Sequence, residues 1–167
     1  MGSFLSLPIL ALAAALQASV IPHVRFWDGA PDLVFLLVLS WSIHAPLEES
    51  ITWALVGGIL QDLLSVAPVG LSSVGLVLIV FGVHYLARQV QRIGVLLMIG
   101  LVLAGGLFQQ MTVLLLFAAL GFTVNLTDDF SFVVVPSLIY NVVIWGPVYG
   151  FARLMQRRFA APRRIEV

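Results

Sequence analysis

Residues 50–87 read SITWALVGGILQDLLSVAPVGLSSVGLVLIVFGVHYLA. Two apolar stretches, 50–64 and 71–87, flank a turn at 65–70 that carries Pro68 and Gly70. Asp62 is the only acidic residue in the passage, and it contains no lysine or arginine. Stretches this long and this poor in charge read as two bilayer-crossing helices joined tightly at one membrane surface.

The sequence on either side has the same character. Only six charged positions interrupt the first 87 residues: Arg25, Asp28, Asp32, Glu48, Glu49 and Asp62. The whole chain is 61% hydrophobic and 10% charged, where a soluble domain carries about 25% charged residues. Its mean hydropathy is +1.11. The chain therefore reads as an all-α integral membrane protein, a compact bundle of six transmembrane helices with short loops. Residues 1–153 form the helical domain and 154–167 a basic cytoplasmic tail. Six spans of about 20 residues each use most of the 167 residues, so almost nothing of them is expected to form an extramembrane catalytic domain.

The six spans are expected at about 4–21, 31–43, 50–64, 71–87, 93–124 and 130–151. The first is read as a retained helix and not a signal peptide, because no basic residue precedes its apolar run. Pro31 suits the first position of the second span, where its missing N–H is not needed. That span is short, so it sits tilted against neighbours or uses its polar flanks; a re-entrant second span, giving five crossings, is the alternative. The fifth stretch is too long for one upright crossing and is expected to tilt, or to bend near Gly105-Gly106.

Arginine sets the expected orientation. Arg153, Arg157, Arg158, Arg163 and Arg164 crowd the last 15 residues, and Arg88 and Arg92 bracket the turn between spans 4 and 5. Both clusters belong on the cytoplasmic side, and an even number of spans separates them, so the bundle reads as N-in/C-in. This distribution accounts for the basic tail without nucleic acid. Its expected contacts are anionic membrane lipids, at about 1 kcal/mol per arginine, or an acidic cytoplasmic partner.

Polar groups inside the apolar runs are the candidate functional residues. A carboxylate such as Asp62 is costly in a membrane and must face protein, water or a partner. It serves as a proton or cation relay, as a contact to another chain, or as a cap on the 65–70 turn. Gly57 and Gly58 let helix backbones approach closely, either within this chain or against a foreign helix. Gln17, Gln109, Gln110 and Asn141 are suited to hydrogen bonds between helices. Gly146 and Gly150 have GxxxG spacing, which Pro147 weakens as a dimer motif. Asp128-Asp129 suit a cap for span 6 at Phe130, with cation binding as the alternative. His23, His44 and His84 fall in different membrane layers, so no shared metal site is expected. No cofactor is expected either. Cysteine is absent, and there is no HExxH, no GxSxG and no pair of carboxylates at i, i+3.

The order of several short motifs resembles the rod shape-determining protein MreD family of bacteria. The motifs are Pro31-Asp32-Leu33 before the run 34–39, Pro46-Leu47-Glu48, Gly57-Gly58 with Leu60, Asp62 and Leu63-Leu64, and Pro68-Val69-Gly70-Leu71. Pro136, Asn141 and the arginines from Arg153 to Arg158 continue the pattern, so the resemblance covers about 7–158. It implies a non-enzymatic, multi-pass protein of the bacterial cytoplasmic (inner) membrane, within the lateral cell-wall elongation machinery. It implies pairing with the single-span protein MreC. Through MreC the protein joins the actin-like filament MreB and a SEDS-type polymerase with its penicillin-binding transpeptidase. It also implies a likeness in fold to the substrate-binding membrane subunits of energy-coupling-factor vitamin transporters.

Two other functions follow from different features. A small-molecule-binding transporter subunit needs a closed cavity near the outer face, lined by residues such as Trp53, Gln61, Asp62 and Trp145. A lipid-modifying enzyme needs ionisable groups gathered at one depth, and Asp62 has no such neighbour in sequence. The contact and packing candidates are thus Pro31, Asp32, Gly57, Gly58, Asp62, Pro68, Gly70 and Asn141. Arg88, Arg92, Arg153, Arg157 and Arg158 form the basic rim.

Overall fold

The structure, a computed structural model, describes residues 2–19, 29–65, 68–89, 94–121 and 133–159. Among these are six helices and no strands: α1 (Gly2–Ser19), α2 (Leu33–Ser42), α3 (Leu47–Leu63), α4 (Leu71–Gln89), α5 (Val95–Ala119) and α6 (Val135–Phe159). Arg25, Arg92, the 125–129 turn with Asp128 and Asp129, Phe130 and residues 160–167 lie outside the described residues.

The sequence of α2, LVFLLVLSWS, is apolar on every side. A helix of that kind belongs in an interior, and α2 takes the centre of the bundle, touching every other helix. All of its residues from Val34 to Ser42 are buried. The other helices surround it in the order α1, α3, α4, α5, α6, each packed on the next. Ten residues rise only about 15 Å, half of the roughly 30 Å hydrocarbon core, so both ends of α2 fall within the depth of its neighbours. Three helices are long and apolar enough to cross a membrane: α4, α5 and α6.

Consecutive helices alternate in direction, as the contacts between their ends show. Gln17, near the end of α1, meets Val34 at the start of α2. Asp62, near the end of α3, meets Ser72 at the start of α4. Gln109 in the later half of α5 also reaches Ser72, and Gly106 packs on Leu138 at the start of α6. The start of α1 and the end of α6 therefore lie at the same end of the bundle.

Element boundaries differ from the sequence reading where capping decides them. Asp32, not Pro31, fixes the start of α2: its carboxylate accepts the Phe35 N–H at 3.0 Å, leaving Pro31 ahead of the cap. Helix α3 starts earlier than expected, at Leu47 behind an extended Pro46. Glu48 and Glu49 thus fall in its first turn, where the helix dipole favours acids. Helix α5 runs unbroken through Gly105 and Gly106 and ends short of the expected 124, before Gly121, whose φ of 85° only glycine adopts readily. Helix α6 continues beyond the expected 151 to Phe159, so Arg153, Arg157 and Arg158 are helical.

Candidate functional site

The polar side chains of the bundle gather at its two ends, and the short central helix explains why. An α-helix leaves its first N–H and last C=O groups without intrahelical partners. Where water is excluded, protein groups must satisfy them. At the start of α2, Asp32 caps Phe35 through Oδ1. Gln17 of α1 accepts the Val34 N–H at 3.3 Å, and Asn141 of α6 accepts the Asp32 N–H at 2.8 Å. Gln61 of α3 donates to Asp32 Oδ2 at 3.1 Å, and Ser137 of α6 accepts the Ala30 N–H at 3.1 Å. Asp32, Ser137 and Asn141 are all buried. Three other helices, α1, α3 and α6, thus close on the start of α2.

The other end of α2 is treated the same way. Gln156 of α6 donates to the Trp41 carbonyl at 2.9 Å, which also accepts the N–H groups of His44 and Ala45. Trp41 donates its indole N–H to Glu49 at 2.9 Å and stacks on Trp53, with ring centroids 3.9 Å apart. His84 of α4 lies with Nε2 3.2 Å from the Ala45 carbonyl. His44 sits beside Tyr149, ring centroids 5.9 Å apart. Partial desolvation first, and the charge of Arg153 second, hold the His44 imidazole below its usual pKa.

Asp62 serves a different helix. It is 1% exposed, and Oδ2 accepts the N–H of Gly70 at 2.7 Å and of Ser72 at 3.1 Å. Both are donors at the start of α4, where a carboxylate is favoured by the dipole as well as by hydrogen bonding. Gly70 holds φ at 102° just before that helix, and Leu71 bonds back to the Pro68 carbonyl at 3.4 Å. Pro68, Gly70 and Asp62 thus form one turn-and-cap unit. Gln109 adds α5 to it, donating to the Ser72 carbonyl at 3.2 Å. Its buried Oε1 has no hydrogen-bond partner and lies over Gly75, whose missing side chain makes the room.

Gly57 and Gly58 face opposite neighbours. A Cβ at Gly57 meets Val34 Cγ1 at 2.9 Å, with Leu10 and Val38 beyond it. A Cβ at Gly58 runs into the backbone of Ser73, where α3 and α4 cross. Ser73 reinforces the crossing by donating to the Leu55 carbonyl at 3.2 Å. Both glycines thus face inward, against helices of this chain.

Of the candidates, Asp32 and Asn141 are brought together, Asp62 joins Pro68 and Gly70, and the two glycines bridge the groups. Arg88 ends α4, and Arg153, Arg157 and Arg158 lie on the last turns of α6; these two helix ends share one side of the bundle. Gln156 and Ser137 escaped the sequence reading. Gln156 lies beside Arg157 and reads as part of a solvated helix end, and a serine in an apolar helix carries little signal. The four residues named for a ligand cavity do not converge. Trp53 stacks on Trp41 near one end of α3, whereas Gln61 and Asp62 lie two turns or more away, roughly 13 Å along the helix, bonded to Asp32 and to α4. Trp145 packs beside Tyr149. Among the described residues no cluster of His, Cys, Asp and Glu is arranged to hold a metal ion.

The family model described as rod shape-determining protein MreD matches residues 1–159. No curated protein matches the chain, and no solved structure matches it. The match spans all six helices, and the chain belongs to the MreD family. It is a membrane protein with a role in rod shape determination.

Proposed function

We propose that this MreD-family chain is a non-enzymatic scaffold of the bacterial cell-wall elongation complex. In this reading it crosses the cytoplasmic (inner) membrane six times, with both termini inside. It binds MreC and links it, directly or through other subunits, to MreB and to the SEDS polymerase with its penicillin-binding transpeptidase. The observation that carries the reading is where the intramembrane polar groups go. Asp32, Asp62, Gln17, Gln61, Asn141 and Gln156 all serve helix ends of this same chain. Among the described residues the outward surface is mostly apolar helix, with exposed arginines at the ends of α4 and α6. Such a surface suits gripping other membrane chains through van der Waals packing.

The even alternation of helices and the shared end of α1 and α6 support the N-in/C-in arrangement. Helix α2 then crosses as an inner post, its depth completed by the capping residues at each end. The decisive experiment is co-purification in mild detergent with a single-span MreC-type partner. Stoichiometric recovery is expected. Recovery of the chain alone, under conditions that keep other membrane complexes intact, overturns the scaffold reading. Reporter fusions placing the end of α6 outside the membrane overturn the topology.

A further inference from the structure

Helix α6 carries an exposed stripe on its outer side, with Arg153 near His44 at one end. It runs through Ile139, Val143, Gly146, Gly150, Arg153 and Arg157, at spacings of four and three that keep a single helical face. All six residues are exposed, Ile139 and Val143 by 61% and 69%. A Cβ built on Gly146 or Gly150 meets nothing within 4 Å. The stripe is therefore apolar at one end, notched in the middle and cationic at the other end. Helix α6 contains no acidic residue. Among the described residues no carboxylate pairs with Arg153 or Arg157.

We infer that this stripe is a binding site for an anionic phospholipid, with the phosphate held by Arg153 and Arg157 and an acyl chain lying in the Gly150–Gly146 notch. The dimensions agree. One leaflet of hydrocarbon is about 15 Å thick, the rise of about ten helical residues. Counting ten residues back from Arg153 reaches Val143, and the interval contains both glycines. Two guanidinium groups one turn apart supply planar, always-charged donors suited to phosphate oxygens. Charge complementarity selects a lipid carrying net negative charge over a zwitterionic one. Pro147 is exposed beside the notch; its ring holds off another helix backbone, whereas a flexible chain lies alongside it. The inference rests on the membrane character of the chain and not on the proposed partners.

The test uses the full chain in detergent micelles doped with equal amounts of phosphatidylglycerol and phosphatidylcholine of identical acyl chains, read by native mass spectrometry. Wild type is expected to retain phosphatidylglycerol at least about five-fold over phosphatidylcholine, the scale of one favourable arginine–lipid interaction. The double substitution Arg153→Gln with Arg157→Gln should bring the two lipids to parity, and Arg153→Lys with Arg157→Lys should keep most of the preference. Gly146→Leu with Gly150→Leu should displace the lipid without lowering the melting temperature in lipid-free detergent, since both positions face open space. Equal retention of the two lipids by wild type overturns the proposal, as does a glutamine variant that keeps the preference. Displacement by millimolar glycerol 3-phosphate marks a site for soluble phosphate and also overturns it. So does a glycine variant that loses a co-purifying membrane polypeptide while lipid retention stays unchanged, which assigns the face to a protein helix.

Discussion

Replacing Asp62 by alanine removes the acceptor for two N–H groups at the start of α4, that of half-buried Gly70 and that of buried Ser72. A buried donor left without a partner costs about 1–3 kcal/mol, and the half-buried Gly70 donor adds less than that. The substitution also removes the cost of burying a carboxylate that is 1% exposed, which offsets part of the loss. A net destabilisation of about 1–3 kcal/mol is expected. Asp62→Asn keeps one oxygen acceptor but loses the charge at the helix start, so about 1–2 kcal/mol is expected. Unfolding of each variant by sodium dodecyl sulfate titration in mild micelles, followed by far-UV circular dichroism, gives the difference directly. Hydrogen exchange supplies a local readout: the Gly70 and Ser72 amides should exchange faster in the alanine variant, while those in the middle of α2 follow global stability alone. An alanine variant within about 0.5 kcal/mol of wild type refutes the capping account. An asparagine variant that folds with full stability and yet fails to support rod shape refutes it differently, by showing that the Asp62 carboxylate has a function beyond capping.

Gly58→Ala should separate α3 from α4, because its Cβ runs into the Ser73 backbone. A loss of about 1–3 kcal/mol is expected from the same unfolding titration, whereas Gly82→Ala, with nothing within 4 Å of the added atom, should not destabilise. Gly57→Ala presses only on the Val34 methyl at 2.9 Å and should cost less than Gly58→Ala in a side-by-side thermal melt. Asn141→Leu leaves the Asp32 N–H unpaired, with an expected cost of about 1–3 kcal/mol and faster exchange of the Asp32 amide. The His44 pKa is lowered by desolvation and then by Arg153, so the folded chain binds its proton less readily than the unfolded chain does. His44 thus leaves stability unreduced above the unfolded pKa of about 6.5 and reduces it as pH falls below that value. Arg153→Gln should raise the His44 pKa, observable as a shifted imidazole titration by nuclear magnetic resonance.

The elements were largely readable from apolar runs and turn residues. The 50–87 passage gave a helix, a Pro68–Gly70 turn and a second helix, and the structure has α3 and α4 on either side of that turn. Boundaries moved where a cap decided them. Asp32 takes the cap position that the fixed φ of Pro31 had suggested for the helix start, because a carboxylate can accept the Phe35 N–H and proline has nothing to offer it. The candidate residues were visible as exceptions, since an aspartate or asparagine in an apolar run is conspicuous. Their partners were not visible. Gln17, Asp32, Gln61 and Asn141 come from four elements, and Asp32 and Asn141 lie 109 residues apart. No spacing rule connects positions joined only by packing.

Composition by itself determined that this chain belongs in a membrane and is helical, because an apolar segment in hydrocarbon must bond its own backbone. It also determined where arginine collects. Only the tertiary structure decided which apolar helix lies inside. Leu36 and Leu39 of α2 are buried, while Leu96 and Leu115 of α5 are 84% and 65% exposed, and hydropathy scores the four leucines alike. In water that difference carries a large free energy and leaves a periodic pattern in the sequence. Against lipid tails, which are as apolar as leucine, it carries almost none, so the choice of α2 as the centre rests on the fit of Gly57, Gly105 and Gly106 around it and on the polar side chains that close its two ends.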